Sequence, residues 1–143
     1  MKKLFECKVN YCRQLGEDNP SKVNETYLVE AGSPAEAEKL LIDELQPIIF
    51  GDFEVRSIKK RNFMDCLINN VEDNFYECKV EMIFLDEYKE TRKCVTLLVR
   101  EEDLKSATSR LIEYTSQNDV ELVMVKKSSI IDVIKSAENE SNN

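Results

Sequence analysis

Apolar side chains fall at every second position near the start of the chain. Phe5, Cys7, Val9 and Tyr11 alternate with Glu6, Lys8 and Asn10. A period of two predicts a half-buried strand. The same alternation returns at Tyr76, Cys78, Val80, Met82 and Phe84. Each run leads into a polar turn, "RQLGEDNPSK" or "LDEYKE", and then into a second strand, "VNETYLVEA" or "CVTLLVR". The pattern therefore predicts a hairpin in each half of the chain.

A helical period follows each hairpin. In "SPAEAEKLLIDELQP", Ser33 suits the N-cap, Pro34 the first helical position, and Glu36 completes a capping box. Ala37, Leu40, Leu41, Leu45 and Ile48 form one apolar face, and Pro47 marks the end region. In the second half Asp103 takes the cap position. Glu101 and Glu102 lie near the positive end of the helix dipole, and Leu104, Ala107, Leu111 and Tyr114 supply the apolar face. A third strand follows each helix, "FEVRSIKK" and "VELVMVKK". After it, "NFMDCLI" and "SIIDVIK" predict a closing helical turn or a short extra strand.

The two halves also match residue by residue and in order. Glu6, Cys7, Lys8 and Val9 correspond to Glu77, Cys78, Lys79 and Val80. Thr26, Leu28 and Val29 correspond to Thr96, Leu98 and Val99, and Ala37, Leu41 and Ile42 to Ala107, Leu111 and Ile112. Glu54, Lys59, Lys60 and Asp65 correspond to Glu121, Lys126, Lys127 and Asp132. Matches in order, with offsets that change only at expected loops, predict an internal repeat. The expected organisation is a first ββαβ repeat over 1–68, a linker over 69–74, a second ββαβ repeat over 75–134 and a disordered polar tail over 135–143. The expected class is α+β: two repeats related by a pseudo-twofold, with an antiparallel or mixed sheet and one helix packed per repeat. Strand one should lie between strands two and three, which run parallel through a right-handed crossover.

Composition narrows the setting. The chain has 143 residues, 42% hydrophobic and 34% charged, as in an ordinary soluble protein. No apolar run approaches a membrane span, and "MKKLFECKVN" has no apolar stretch of the secretory kind. The expected location is the cytoplasm, where the five cysteines stay reduced. The net charge is −8, and most of it lies in residues 72–143, with 10 basic and 16 acidic groups. That balance argues against broad attraction to phosphate backbones, while leaving room for a local basic patch or for a basic partner on the acidic half.

Few residues point to chemistry. There is no histidine, which removes the usual general base and the commonest metal ligand. The three glycines never approach a phosphate-cradling spacing. No CxxC occurs, and Cys7 and Cys12 are an odd number of residues apart, on opposite faces of a strand. The expectation is no catalytic residue, no metal and no cofactor, with the cysteines as small buried apolar groups. A carboxylate-based or metal-assisted enzyme is the third-ranked alternative. The groups set apart are Lys59, Lys60 and Arg61 after one third strand, and Lys126 and Lys127 after the other. Related by a twofold they would bracket an anion or a nucleic-acid backbone, whereas lysine also blunts sheet edges against aggregation. Tyr11, Tyr27, Tyr76 and Phe84 offer either stacking surface or core.

The stretches "LFECKVNY", "KVNETYLVEAGSPAEAEKLLIDEL" and "GDFEVRSIKKRNFMDCL", with "NFYECKV" in the second half, resemble a family of uncharacterised small proteins of Bacteroidetes bacteria and their phages. The resemblance implies a bacterial or phage origin and carries no activity or catalytic residue. The leading expectation is a non-enzymatic interaction or accessory protein that binds a protein partner or itself, with no membrane role. Nucleic-acid binding through the paired lysine clusters is the alternative.

Overall fold

The computed structural model describes residues 2–14, 20–68, 70–117 and 120–135. It is an α+β protein with two mixed four-stranded sheets and two helices. Part of the first polar turn (15–19) and the expected tail beyond Lys135 lie outside the described residues.

In the first sheet, β1 (Lys3–Gln14) pairs antiparallel with β2 (Pro20–Ala31). On its other side β1 pairs antiparallel with β3 (Phe53–Arg61). Strands β2 and β3 are thus parallel but not adjacent, with β1 between them as the pattern predicts. Helix α1 (Pro34–Leu45) joins them and covers one face. Phe5, Cys7 and Val9 from β1, with Tyr27, Val29 and Ala31 from β2, pack there against Ala37, Leu41 and Leu45. These residues share one face because strand side chains alternate.

The second sheet repeats this order: β5 (Asn74–Asp86) lies between β6 (Lys89–Glu101) and β7 (Val120–Lys127), antiparallel to both. Helix α2 (Leu104–Gln117) covers Tyr76, Cys78, Val80, Leu97 and Val99 with Ala107 and Leu111.

The helix starts follow the cap chemistry. The Glu36 N–H donates to Ser33 Oγ at 3.2 Å, and the Ser106 N–H donates to Asp103 Oδ1 at 2.8 Å. The reciprocal bond of the first cap is displaced by one residue: Glu36 Oε2 accepts from the Gly32 N–H at 2.9 Å rather than from Ser33. The same carboxylate pairs with Lys2 Nζ at 3.1 Å. Both contacts hold the Glu36 carboxyl below its ordinary pKa, the backbone bond being the larger cause.

The end of α1 departs from the expected pattern. The helix stops at Leu45, so Ile48 no longer falls on the apolar face and is exposed, while Ile49 turns into the core. Leu104 likewise stands half-exposed at the start of α2, and Thr115 is buried instead, its hydroxyl donating to the Ile112 carbonyl at 3.0 Å.

The two closing segments are strands, and each joins the sheet of the other half. Strand β8 (Ile130–Ile134) pairs parallel with β2, while β4 (Asp65–Leu67) pairs parallel with β6. The compact units are accordingly Met1–Arg61 with Ser129–Asn143, and Asn62–Ser128. Helix α2 fixes β4 in place: Arg110 Nη1 donates to the Leu67 carbonyl at 3.2 Å, and the Tyr114 hydroxyl donates to Asp65 Oδ2 at 3.3 Å. The segment before β5 is tied down as well. Asn70 Nδ2 donates to the Arg100 carbonyl and Asn74 Nδ2 to the Glu102 carbonyl, both at 2.7 Å.

Candidate functional site

The duplicated "ECKV" stretch lies on the central strand of each sheet. Cys7 and Cys78 point under the helices and are fully buried, and burial pushes both thiols up to about 11. A thiol held that far above neutrality carries almost no thiolate and is a poor nucleophile. None of the five cysteines is in a disulfide, and Cys12 and Cys94 are exposed. Among the described residues no group of three or more His, Cys, Asp or Glu side chains is placed to hold a metal ion.

Glu6 faces the other way, across the ladder from Lys59, and Glu77 stands across from Lys126 in the same relation. Glu6 Oε2 also pairs with Arg61 Nη1 at 3.2 Å, and both side chains are largely buried. Each ladder slips by one residue at the same point of the motif, between Lys8 and Val9 and between Lys79 and Val80. The slip sets Arg56 and Val123 outside the pairing. It also explains why alternation along β3 breaks at Arg56 and Ser57, both exposed.

The basic residues singled out in the sequence therefore sit at the ends of two edge strands. Lys59, Lys60, Lys126 and Lys127 are exposed, and Arg61 is drawn in by Glu6. Lys59 and Arg61 lie on the sheet face turned away from α1, flanking Glu6. Lys60 lies opposite Phe5, and Lys127 opposite Tyr76. Each cluster thus has an acidic neighbour in its own ladder, which lowers its local positive potential.

The four aromatic residues considered for stacking have separate fates. Tyr27 and Tyr76 are buried, whereas Tyr11 and Phe84 are partly exposed. Tyr11 and Tyr27 line a cleft of about 520 Å³ together with Cys12, Arg13, Glu25 and the turn Ile48–Phe50. The cleft forms because β1 and β2 run on past the end of α1, and the chain after the helix folds back over them. Gly51 has a φ of 99°, a conformation that side chains disfavour, and Phe50 before it is fully exposed.

Inside the cleft the Tyr27 hydroxyl donates to Glu25 Oε1 at 3.4 Å. Arg13 Nη2 donates to the Tyr11 hydroxyl at 3.0 Å, and the guanidinium carbon lies 5.9 Å from the centre of that ring. Burial first, and the Glu25 carboxylate after it, raise the pKa of both phenols, so both keep their protons. The sequence marks the two tyrosines. Strand alternation sets Arg13 beside Tyr11 and Glu25 beside Tyr27, two residues apart on one face, whereas Phe50 enters through the post-helix turn, which no local signal marks.

What these features define is a small two-sheet α+β protein with edge-strand cations and a mixed polar–apolar cleft beside Tyr11 and Tyr27. The chain belongs to the family called domain of unknown function (DUF4494), whose model matches residues 3–136. No curated protein matches it. No solved structure matches it either. No helix among the described residues is long and apolar enough to cross a membrane.

Proposed function

We propose that this chain is a non-enzymatic interaction module, an accessory or regulatory protein of the cytoplasm of a bacterium or phage, whose partner is another protein or a second copy of itself. The observation that carries this reading is the free end of the β5–β6 hairpin. Among the described residues β7 pairs with Tyr76–Met82, and Ile83–Asp86 pair with β6 alone. This two-stranded end carries Ile83, Phe84, Leu85 and Tyr88, with Leu85 82% and Tyr88 96% exposed. Two-stranded ribbons are marginal alone, and a cluster of exposed apolar side chains commonly marks a contact surface. In-order sequence matches and the shared strand order also support duplication of one ββαβ unit, which the sequence pattern relates by a pseudo-twofold.

The test combines sedimentation of the full chain with affinity capture from its native cell, with and without nuclease. Self-association, or a protein retained after nuclease, supports the reading. Turnover of a substrate that is lost on changing one carboxylate, with the fold intact, would overturn it. The second reading is nucleic-acid binding. Exposure of Lys59, Lys60, Lys126 and Lys127 at matching strand ends favours it, and the carboxylates of Glu6 and Glu77 oppose it.

A further inference from the structure

Glu25 occupies a distinctive position in the first unit. It lies on the α1 side of the sheet, across from Val9, and is only partly exposed. Its side-chain partners are phenols, the Tyr27 hydroxyl donating at 3.4 Å and the Tyr11 hydroxyl bonding it as well, and among the described residues no cation pairs with it. Arg13, the cation lining the same cleft, is turned onto Tyr11, where it bonds the hydroxyl and lies by the ring. The opposite wall is apolar, made by Ile48, Ile49 and Phe50, and two of these three are exposed.

A sheltered carboxylate beside phenol rings and alkyl groups is complementary to one kind of group. A cation gains from the carboxylate and from the negative faces of the rings, and an attached alkyl stem gains from the apolar wall. The Arg13 guanidinium beside Tyr11 already shows this ring taking a cation. An anionic ligand would instead meet the Glu25 charge, with the neighbouring guanidinium already engaged. The volume of about 520 Å³ lies within the range of small-molecule sites.

We propose that the cleft binds an organic cation with an apolar stem, an amine or guanidine the size of a lysine or arginine side chain. Glu25 is its counter-ion, and Tyr11, Tyr27 and Phe50 are its aromatic wall. The cation comes either from a free small amine or from a basic side chain of a protein. The inference rests on the cleft and stands or falls separately from the β5–β6 ribbon.

The experiment titrates the full chain with n-butylammonium, with butyrate, and with a short uncharged-flank peptide carrying one central lysine. Backbone amide shifts are followed by nuclear magnetic resonance. Butylammonium is expected to shift Tyr11, Glu25 and Tyr27 saturably, while butyrate does not. Glu25→Gln should weaken binding at least tenfold and Phe50→Ala several-fold. Arg13→Ala should strengthen it, because a competing cation leaves Tyr11. Phe50 is fully exposed, so its variant keeps the fold if Glu25→Gln does not. A peptide binding tenfold tighter than butylammonium identifies a protein side chain as the source, and equal affinity identifies a free amine. The proposal is overturned if neither cation saturates, if butyrate binds as well, or if Arg13→Ala weakens binding.

Discussion

The Glu6 carboxylate meets the Arg61 guanidinium at 3.2 Å, with only 14% and 20% of the two side chains exposed. Glu6 also stands across the ladder from Lys59. The glutamate of the duplicated motif thus serves as counter-charge for an edge strand rich in cations. Glu6→Gln should lower stability by roughly 1–2 kcal/mol, since a sheltered guanidinium loses its charged acceptor. Urea unfolding measures this directly. Loss well below 0.5 kcal/mol would mean that water satisfies Arg61 as well as the carboxylate does.

The same pairing makes the nucleic-acid reading testable by opposite substitutions. Replacing Lys59, Lys60, Lys126 and Lys127 with alanine should abolish any salt-sensitive binding of DNA or RNA. Replacing Glu6 and Glu77 with glutamine should strengthen it. No mobility shift of any nucleic acid at low salt, in the parent or the glutamine variant, would sink that reading.

Cys7 and Cys78 give the fold an alkaline limit. Both thiols have a folded pKa of about 11 against 9.0 for the free group, with burial as the main cause. The folded state therefore holds protons that the unfolded state releases, and stability falls as pH rises from about 9 towards 11. The loss is on the order of 2 kcal/mol per thiol once both limits are passed. The raised phenols of Tyr11 and Tyr27 act in the same direction. Unfolding midpoints measured from pH 8 to 10.5 should slope downward, and Cys7→Ala with Cys78→Ala should flatten the slope. In the native state a thiol reagent should label Cys12 and Cys94 quickly and the two buried thiols only on unfolding.

How much of this was legible depends on what local pattern encodes. The hairpins, helices and caps were readable because alternation, the 3.6-residue period and cap residues are local signals. Ile48 leaves the apolar face that its spacing predicts because the helix ends three residues earlier, at Leu45. The destination of the closing segments was not readable at all. "NFMDCLI" and "SIIDVIK" carry similar signals, and nothing local says which second strand each will join. The cleft was half-visible: its tyrosines lie on readable strands with Glu25 two residues from Tyr27 on the same face, but the pairing of Tyr11 with that side of β2 depends on register and the Phe50 wall on a turn after the helix.

The exchange of closing strands predicts coupling between distant parts of the sequence. Ile134 is 6% exposed and packs into the core beneath α1, although it lies far beyond that helix in the chain. Ile134→Ala should cost about 2–4 kcal/mol, as buried large-to-small changes do. Those amides of Thr26–Val29 that point to β8 rather than to β1 should lose protection against hydrogen exchange. Retained protection there would show that β8 does not hold β2.

The β5–β6 ribbon should separate stability from recognition. Leu85 and Tyr88 are almost wholly exposed, and among the described residues β5 beyond Met82 pairs with β6 alone. Changing both to serine removes apolar surface without opening a cavity, so stability should move by no more than about 0.5 kcal/mol. If the ribbon is the contact surface, the same change should reduce partner capture or self-association at least tenfold, because large exposed side chains anchor such contacts. A control at Ile131, also exposed but on β8 of the other unit, should leave binding intact. The ribbon loses its role if the double variant unfolds the protein or binds as the parent does. Unfolding would make those side chains structural, and unchanged binding would place recognition elsewhere.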